Sequence, residues 1–230
     1  MVALFVIFTI ITLLTIDYFV QRSQLAKAKA AGAAARWEPA AAPVRPVVAV
    51  DDVPAGVFLD AGHVWAQLEP SGALRVGVDR MPIAVLGRPD RIEVRPEGTT
   101  LRAGDPLVTL VRGGRKVVLR SPADGVVARV NAEADPERVQ DDPYGRGWLY
   151  WITPKDVAPA LKRMFVAEEA KTWVRGQLAS LREFLAAGAG QGQLVGATIQ
   201  DGGPLVEGVS DQLDDERWNR LVAEFFPAAR

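Results

Sequence analysis

The stretch that most limits how this chain can fold runs from Leu101 to Val130, LRAGDPLVTLVRGGRKVVLRSPADGVVARV. Two β-rich runs, Pro106 to Arg112 and Lys116 to Arg120, are joined across Gly113-Gly114. A Gly-Gly pair between such runs tolerates positive φ and so predicts a hairpin with a tight turn at its apex. Ser121-Pro122-Ala123-Asp124-Gly125 makes a second turn, with Pro fixing φ and Gly supplying a left-handed residue, before Val126 to Val130 resumes a strand. Pro96-Glu97-Gly98 and Ala103-Gly104-Asp105 punctuate the approach in the same way. Short strands broken this often by glycine turns predict a small β-sandwich or barrel.

Composition narrows the chemistry. The net charge of −1 argues against a general nucleic-acid binder, which carries a basic excess. The chain has no cysteine, which excludes disulfides, thiolate metal sites and a cysteine nucleophile. Its one histidine, His63, excludes a multi-His metal centre. With no Ser, Cys or carboxylate partner marked by motif, His63 reads as a structural residue on a hairpin. No catalytic residue and no metal ligand is expected.

Three ordered motifs carry a family resemblance. Gly98, Ala103-Gly104-Asp105-Pro106-Leu107, the hairpin and Ser121-Pro122 with Gly125 and Val127 resemble the lipoyl or biotinyl carrier fold. Upstream, Gly62-His63-Val64-Trp65-Ala66 with Gly72 and Arg75-Val76-Gly77-Val78 is similar to the opening hairpin of the glycine cleavage H proteins. Downstream, Asp142-Pro143-Tyr144-Gly145-Arg146-Gly147-Trp148-Leu149 is similar to that family's most specific signature. The resemblance covers roughly residues 55 to 165. It implies a short helical crossing at Asp79 to Leu86 and a strand at Ile92-Glu93-Val94.

The family attaches lipoate to a lysine at the hairpin apex, where the arm carries an aminomethyl group. Counting back from Ser121-Pro122 without gaps, that lysine falls on Gly114 and the family's glutamate on Val111. The resemblance therefore implies a degenerate lipoyl position at Gly114 and no cofactor, with Lys116, two positions on, as the alternative attachment residue.

The first 20 residues are almost uninterruptedly apolar, and about 20 residues of helix span the hydrocarbon of a bilayer. Phe5, Ile7, Phe8, Ile10, Ile11, Leu13, Leu14 and Ile16 would face lipid, with Tyr18 and Phe19 at the interface. Arg22, Lys27, Lys29 and Arg36 follow and none precedes, so the positive-inside rule predicts a single-pass inner-membrane anchor, N-out, with the rest in the cytoplasm. A cleaved signal peptide is the competing reading, but the charged n-region is missing. The Ala-rich run at 22–38 predicts a juxtamembrane helix, and three prolines between Pro39 and Pro46 open a stiff linker over 39–52.

The β domain is expected over 53–154. Beyond it the period changes: Val157, Leu161, Met164 and Phe165, then Trp173, Val174, Leu178, Leu181 and Leu185, predict amphipathic helix over 155–187, broken near Ala167. The extension 188–230 ends in a helix capped by Asp214 or Asp211, with Trp218, Leu221, Val222, Phe225 and Phe226 on one face. Those five side chains pack on the β domain or form a candidate partner-binding face.

The fold expected is an N-terminal transmembrane α-helix, a mainly-β lipoyl-like barrel-sandwich hybrid domain and a C-terminal α-helical extension. The function expected from the missing lysine is a non-catalytic, membrane-anchored accessory or scaffold subunit, partnered by the bilayer and by other subunits of a membrane complex. Two alternatives stand beside it: a tethered lipoyl carrier modified at Lys116, and an adaptor subunit of a transport system.

Overall fold

The computed structural model describes residues 53–187 and 208–227. The expected transmembrane helix, juxtamembrane helix and linker lie outside the described residues, as does most of the stretch between the last two helices. Among the described residues no helix is long and apolar enough to cross a membrane.

Among the described residues ten strands form two antiparallel sheets. In chain order they are β1 Val57–Leu59, β2 Val64–Leu68, β3 Leu74–Val78, β4 Arg91–Val94, β5 Thr100–Leu101, β6 Pro106–Arg112, β7 Arg115–Arg120, β8 Gly125–Val130, β9 Tyr150–Pro154 and β10 Phe165–Val166. The larger sheet runs β10-β1-β2-β3-β9-β8-β5 and the smaller runs β4-β6-β7. Both contribute to one core: Val76 and Ile152 from the first meet Leu110, Val117 and Leu119 from the second. Tyr150 ties the two sheets with polar bonds, its hydroxyl donating to the Leu107 carbonyl at 2.8 Å and accepting from the Arg95 amide at 2.8 Å. A buried hydroxyl needs such partners, because leaving it unpaired costs about 1–3 kcal/mol.

The helices of the described residues follow the same numbering: α1 Arg80–Leu86, α2 Pro136–Asp141, α3 Val157–Leu161, α4 Ala167–Ala186 and α5 Asp215–Phe225, with a 3₁₀ turn at Val209–Gln212 before the last. The crossing expected from Asp79 to Leu86 is α1, capped by Asp79, whose Oδ1 accepts from the Met81 amide at 2.8 Å. Asp214 caps α5 by accepting from the Arg217 amide at 2.8 Å.

Residues 155–187 depart from the expected pair of helices. Phe165 belongs to a strand, β10, which pairs Leu59 with Phe165 and Phe58 with Val166. The physical reason is the edge of β1, whose open hydrogen-bonding groups take the passing chain as a partner. Phe165 then stacks on Trp173 with ring centroids 5.1 Å apart. The chain turns into α4 through Ala167, a non-glycine residue at φ 51°. Along α4, Ala170, Leu178, Leu181 and Leu185 are buried at the three- and four-residue spacing the sequence displays.

Candidate functional site

The site is the β6–β7 hairpin and what holds it. Arg112 pairs with Arg115 across the strands, leaving Gly113 and Gly114 as a two-residue loop. Both have positive φ, 52° and 84°, which a tight hairpin turn requires and which a residue with a Cβ adopts only under strain. Gly114, where the resemblance puts the lipoyl lysine, is exposed and offers no side chain.

Successive residues of a strand face opposite ways, so Arg115, Val117 and Leu119 share one face of β7. Val117 and Leu119 are buried in the core, which makes that face the inner one. Lys116 lies on the outer face, exposed, paired in register with Val111. Its side chain makes no hydrogen bond or ion pair among the described residues. On the near side of the tip, Asp90 Oδ2 accepts from the Gly113 amide at 2.8 Å.

The inner face of the tip is held by the end of the chain. Arg112 Nη1 donates to the Leu86 carbonyl at 2.8 Å, and Arg112 Nη2 pairs with Asp211 at 2.6 Å. Arg115 donates through one guanidinium nitrogen to the Ser210 carbonyl and through the other to the Leu213 carbonyl. Its guanidinium also lies 5.2 Å from the Trp218 ring. Ser210 is 1% exposed and donates through Oγ to Leu86 O at 2.9 Å, so this last carbonyl of α1 gathers both the arginine and the serine. Gly87 and Gly208 are both required here: a Cβ on either would collide with the Arg112 guanidinium. A pair of arginines flanking Gly-Gly is a visible sequence signal, but nothing local says that their partners lie almost a hundred residues away.

The five residues of the expected partner-binding face sit against the chain's own core. Trp218, Leu221, Phe225 and Phe226 are buried there and Val222 is partly buried against the same cluster. Asp211, the other candidate cap, serves Arg112 instead. The expected lipid-facing residues, Phe5 to Phe19, lie outside the described residues.

His63 occupies the turn before β2 at φ 62°, and its Nδ1 donates to Asp79 Oδ2 at 2.9 Å. The ring is 1% exposed, packed 4.9 Å from Trp173 and 5.3 Å from Phe226. Asp79 is the carboxylate partner that no motif marked, brought to the histidine by the β2–β3 pairing. A dyad closed off by two aromatic rings meets no solvent-borne substrate. Nearby, burial pushes the Asp60 carboxyl above its ordinary range, against the lowering effect of the Gly62 amide it accepts and of Arg163.

The Asp-Pro-Tyr-Gly signature is a fold around one side chain. The Asp142 carboxylate accepts from the Gly145 amide at 3.0 Å and the Arg146 amide at 2.8 Å. The Pro143 carbonyl accepts from Trp65 Nε1 at 3.0 Å, and Tyr144 lies 6.0 Å from the Trp65 ring. Asp142 thus organises a turn, and the Pro143 carbonyl within it holds the indole beneath.

Comparison with known proteins places these motifs in one family. The family model described as glycine cleavage H-protein matches residues 58–176. A probable glycine cleavage system H protein 2 from Saccharolobus solfataricus is 32% identical over 127 residues, which cover 54% of this chain and 79% of that one. The glycine cleavage system H protein of a Psychrobacter species is 31% identical over 122 residues, 52% of this chain and 96% of that one. Among solved structures, the glycine cleavage system H protein of Mycobacterium marinum aligns with a TM-score of 0.48 at 28% identity, covering 54% of this chain and 99% of that one. These relatives, named as glycine cleavage H proteins, correct the expectation of an accessory or scaffold subunit, which rested only on the bare apex at Gly114. The chain belongs to the glycine cleavage H-protein family.

Proposed function

We propose that this chain is a carrier of the H-protein type, not a catalyst, with Lys116 as the residue that takes lipoate. The position of Lys116 carries the reading. It is the only lysine between residues 53 and 154, a span in which every other cation is arginine, and it stands exposed on the outer face of the hairpin. Gly114 does not fit the group, having no amine and a backbone at φ 84°. Lys116 does fit, with an ε-amine on a four-carbon stem and no hydrogen bond or ion pair among the described residues to hold it back.

When attached, lipoate supplies a disulfide that takes up an aminomethyl group. The chain's own residues set where the arm starts. Strand residues advance about 3.4 Å each, so attachment two residues beyond Gly114 roots the arm roughly 7 Å nearer the barrel. Gly113 and Gly114 leave the tip bare in front of it, and Asp90 fixes the tip from the α1 side.

Co-expression with a lipoate-attaching ligase, followed by intact mass, tests the reading. One added lipoyl group that disappears in Lys116→Arg supports it, and an unmodified wild-type chain overturns it. The single-pass inner-membrane location drawn from residues 1–21 belongs to the same proposal, resting on their apolar run and the cations that follow.

A further inference from the structure

The family match ends at residue 176, yet the residues that grip the hairpin tip come later: Ser210, Asp211, Leu213 and Trp218. They engage the two residues that flank the apex, Arg112 and Arg115, and both arginines leave from the inner face. Lys116, on the outer face, is exposed. The same element is fastened elsewhere as well. Arg217 Nη2 donates to the Phe184 and Leu185 carbonyls at 3.3 Å, Phe225 meets Phe184 with centroids 6.0 Å apart, and Phe226 closes over His63. The element is therefore tied both to α4 and to the hairpin.

We propose that residues 208–227 form an intramolecular strap that fastens the hairpin tip to the barrel and restrains access to Lys116. The restraint on loading rests on the Lys116 reading; the fastening does not. A loading enzyme must surround the lysine. The neutral Lys116 Nζ attacks the carboxyl carbon of an activated lipoate, the C–N bond forms as the C–O bond to the activating phosphate breaks, the phosphate leaves with the electron pair, and the amine proton passes to a base of the enzyme. That geometry needs the tip to stand clear of its surroundings, and a tip tied through both flanking arginines stands clear less often.

The test uses the full chain, as wild type, Arg115→Met and Trp218→Ala. Hydrogen exchange is followed by mass spectrometry over peptides covering Leu110 to Val118, with Val64 to Val78 as the internal control for an intact barrel. Lipoyl loading is timed with a ligase, lipoate and ATP. The expected result is several-fold faster exchange at the tip in both variants, an unchanged control region and several-fold faster loading. Unchanged tip exchange in both variants overturns the strap, whatever happens at Lys116. Faster exchange with an unaltered loading rate overturns its restraint on access. Faster exchange with no acylation of any of the three proteins supports the fastening and overturns Lys116 as the attachment residue.

Discussion

Removing the Asp79 carboxylate separates two jobs that one side chain does. Its Oδ1 caps α1 through the Met81 amide and its Oδ2 accepts from His63 Nδ1, with Asp79 2% and His63 1% exposed. Asp79→Ala loses the cap, about 1 kcal/mol, and orphans a buried imidazole N–H, a further ~1–3 kcal/mol, for a total of roughly 2–4 kcal/mol. No water reaches the ring to replace the acceptor, because Trp173 and Phe226 cover it. Asp79→Asn keeps an oxygen for the cap but presents an amide N–H to His63. The imidazole then switches tautomer and moves its proton to Nε2, which has no hydrogen-bond partner. The Asn variant therefore avoids the cap loss and lands about 1 kcal/mol above Asp79→Ala in stability. Urea unfolding followed by tryptophan fluorescence reads both, with an unchanged denaturant slope certifying that the same surface unfolds. An Ala variant within about 0.5 kcal/mol of wild type, or an Asn variant as unstable as Ala, refutes the argument, the first threshold being the usual effect of an innocuous surface change.

Two other groups give independent checks. Asp60 is pushed up by burial, so the native state binds more protons than the unfolded chain between the ordinary carboxyl range and the raised value. Stability therefore falls as pH rises through that window; Asp60→Asn, which can still accept from Gly62, should match or exceed wild type at neutral pH and lose its advantage in acid, and a wild type that gains on the variant with rising pH would contradict this. Burial raises the Tyr150 phenol to about 12, so its ultraviolet ionisation should come after that of exposed tyrosine in an alkaline titration. Tyr150→Phe leaves the Leu107 carbonyl and Arg95 amide without their partner and should cost about 1–3 kcal/mol in the same urea assay, whereas a neutral result would show that water serves both.

Much of the barrel was legible because its signals are local. Gly113-Gly114 dictates a turn by φ alone, and β6 and β7 lie within a residue of where the composition put them. The Asp-Pro-Tyr-Gly signature is equally local, since the partners of Asp142 are the amides of Gly145 and Arg146. β10 was not legible: Phe165 continues a helical stripe along the chain, and only the open edge of β1, more than a hundred residues earlier, makes it a strand. The His63–Asp79 pair was hidden similarly, by a sheet register that local pattern does not encode.

The sequence by itself determined a small β-sandwich or barrel with a Gly-Gly hairpin and one lysine beside its apex, because turn chemistry, strand period and residue identity are properties of short segments; its resemblance to the H proteins implied the carrier-type fold and the bare attachment position at Gly114. The tertiary structure alone decided which face of the hairpin is covered. Arg112 and Arg115 flank the apex in the sequence, and no local pattern names their partners. Their direction toward the core side, and the arrival there of Ser210, Asp211 and Trp218, turn them into the fastening of the tip. Which way a side chain points is set by strand period, but what waits for it there depends on how distant segments pack.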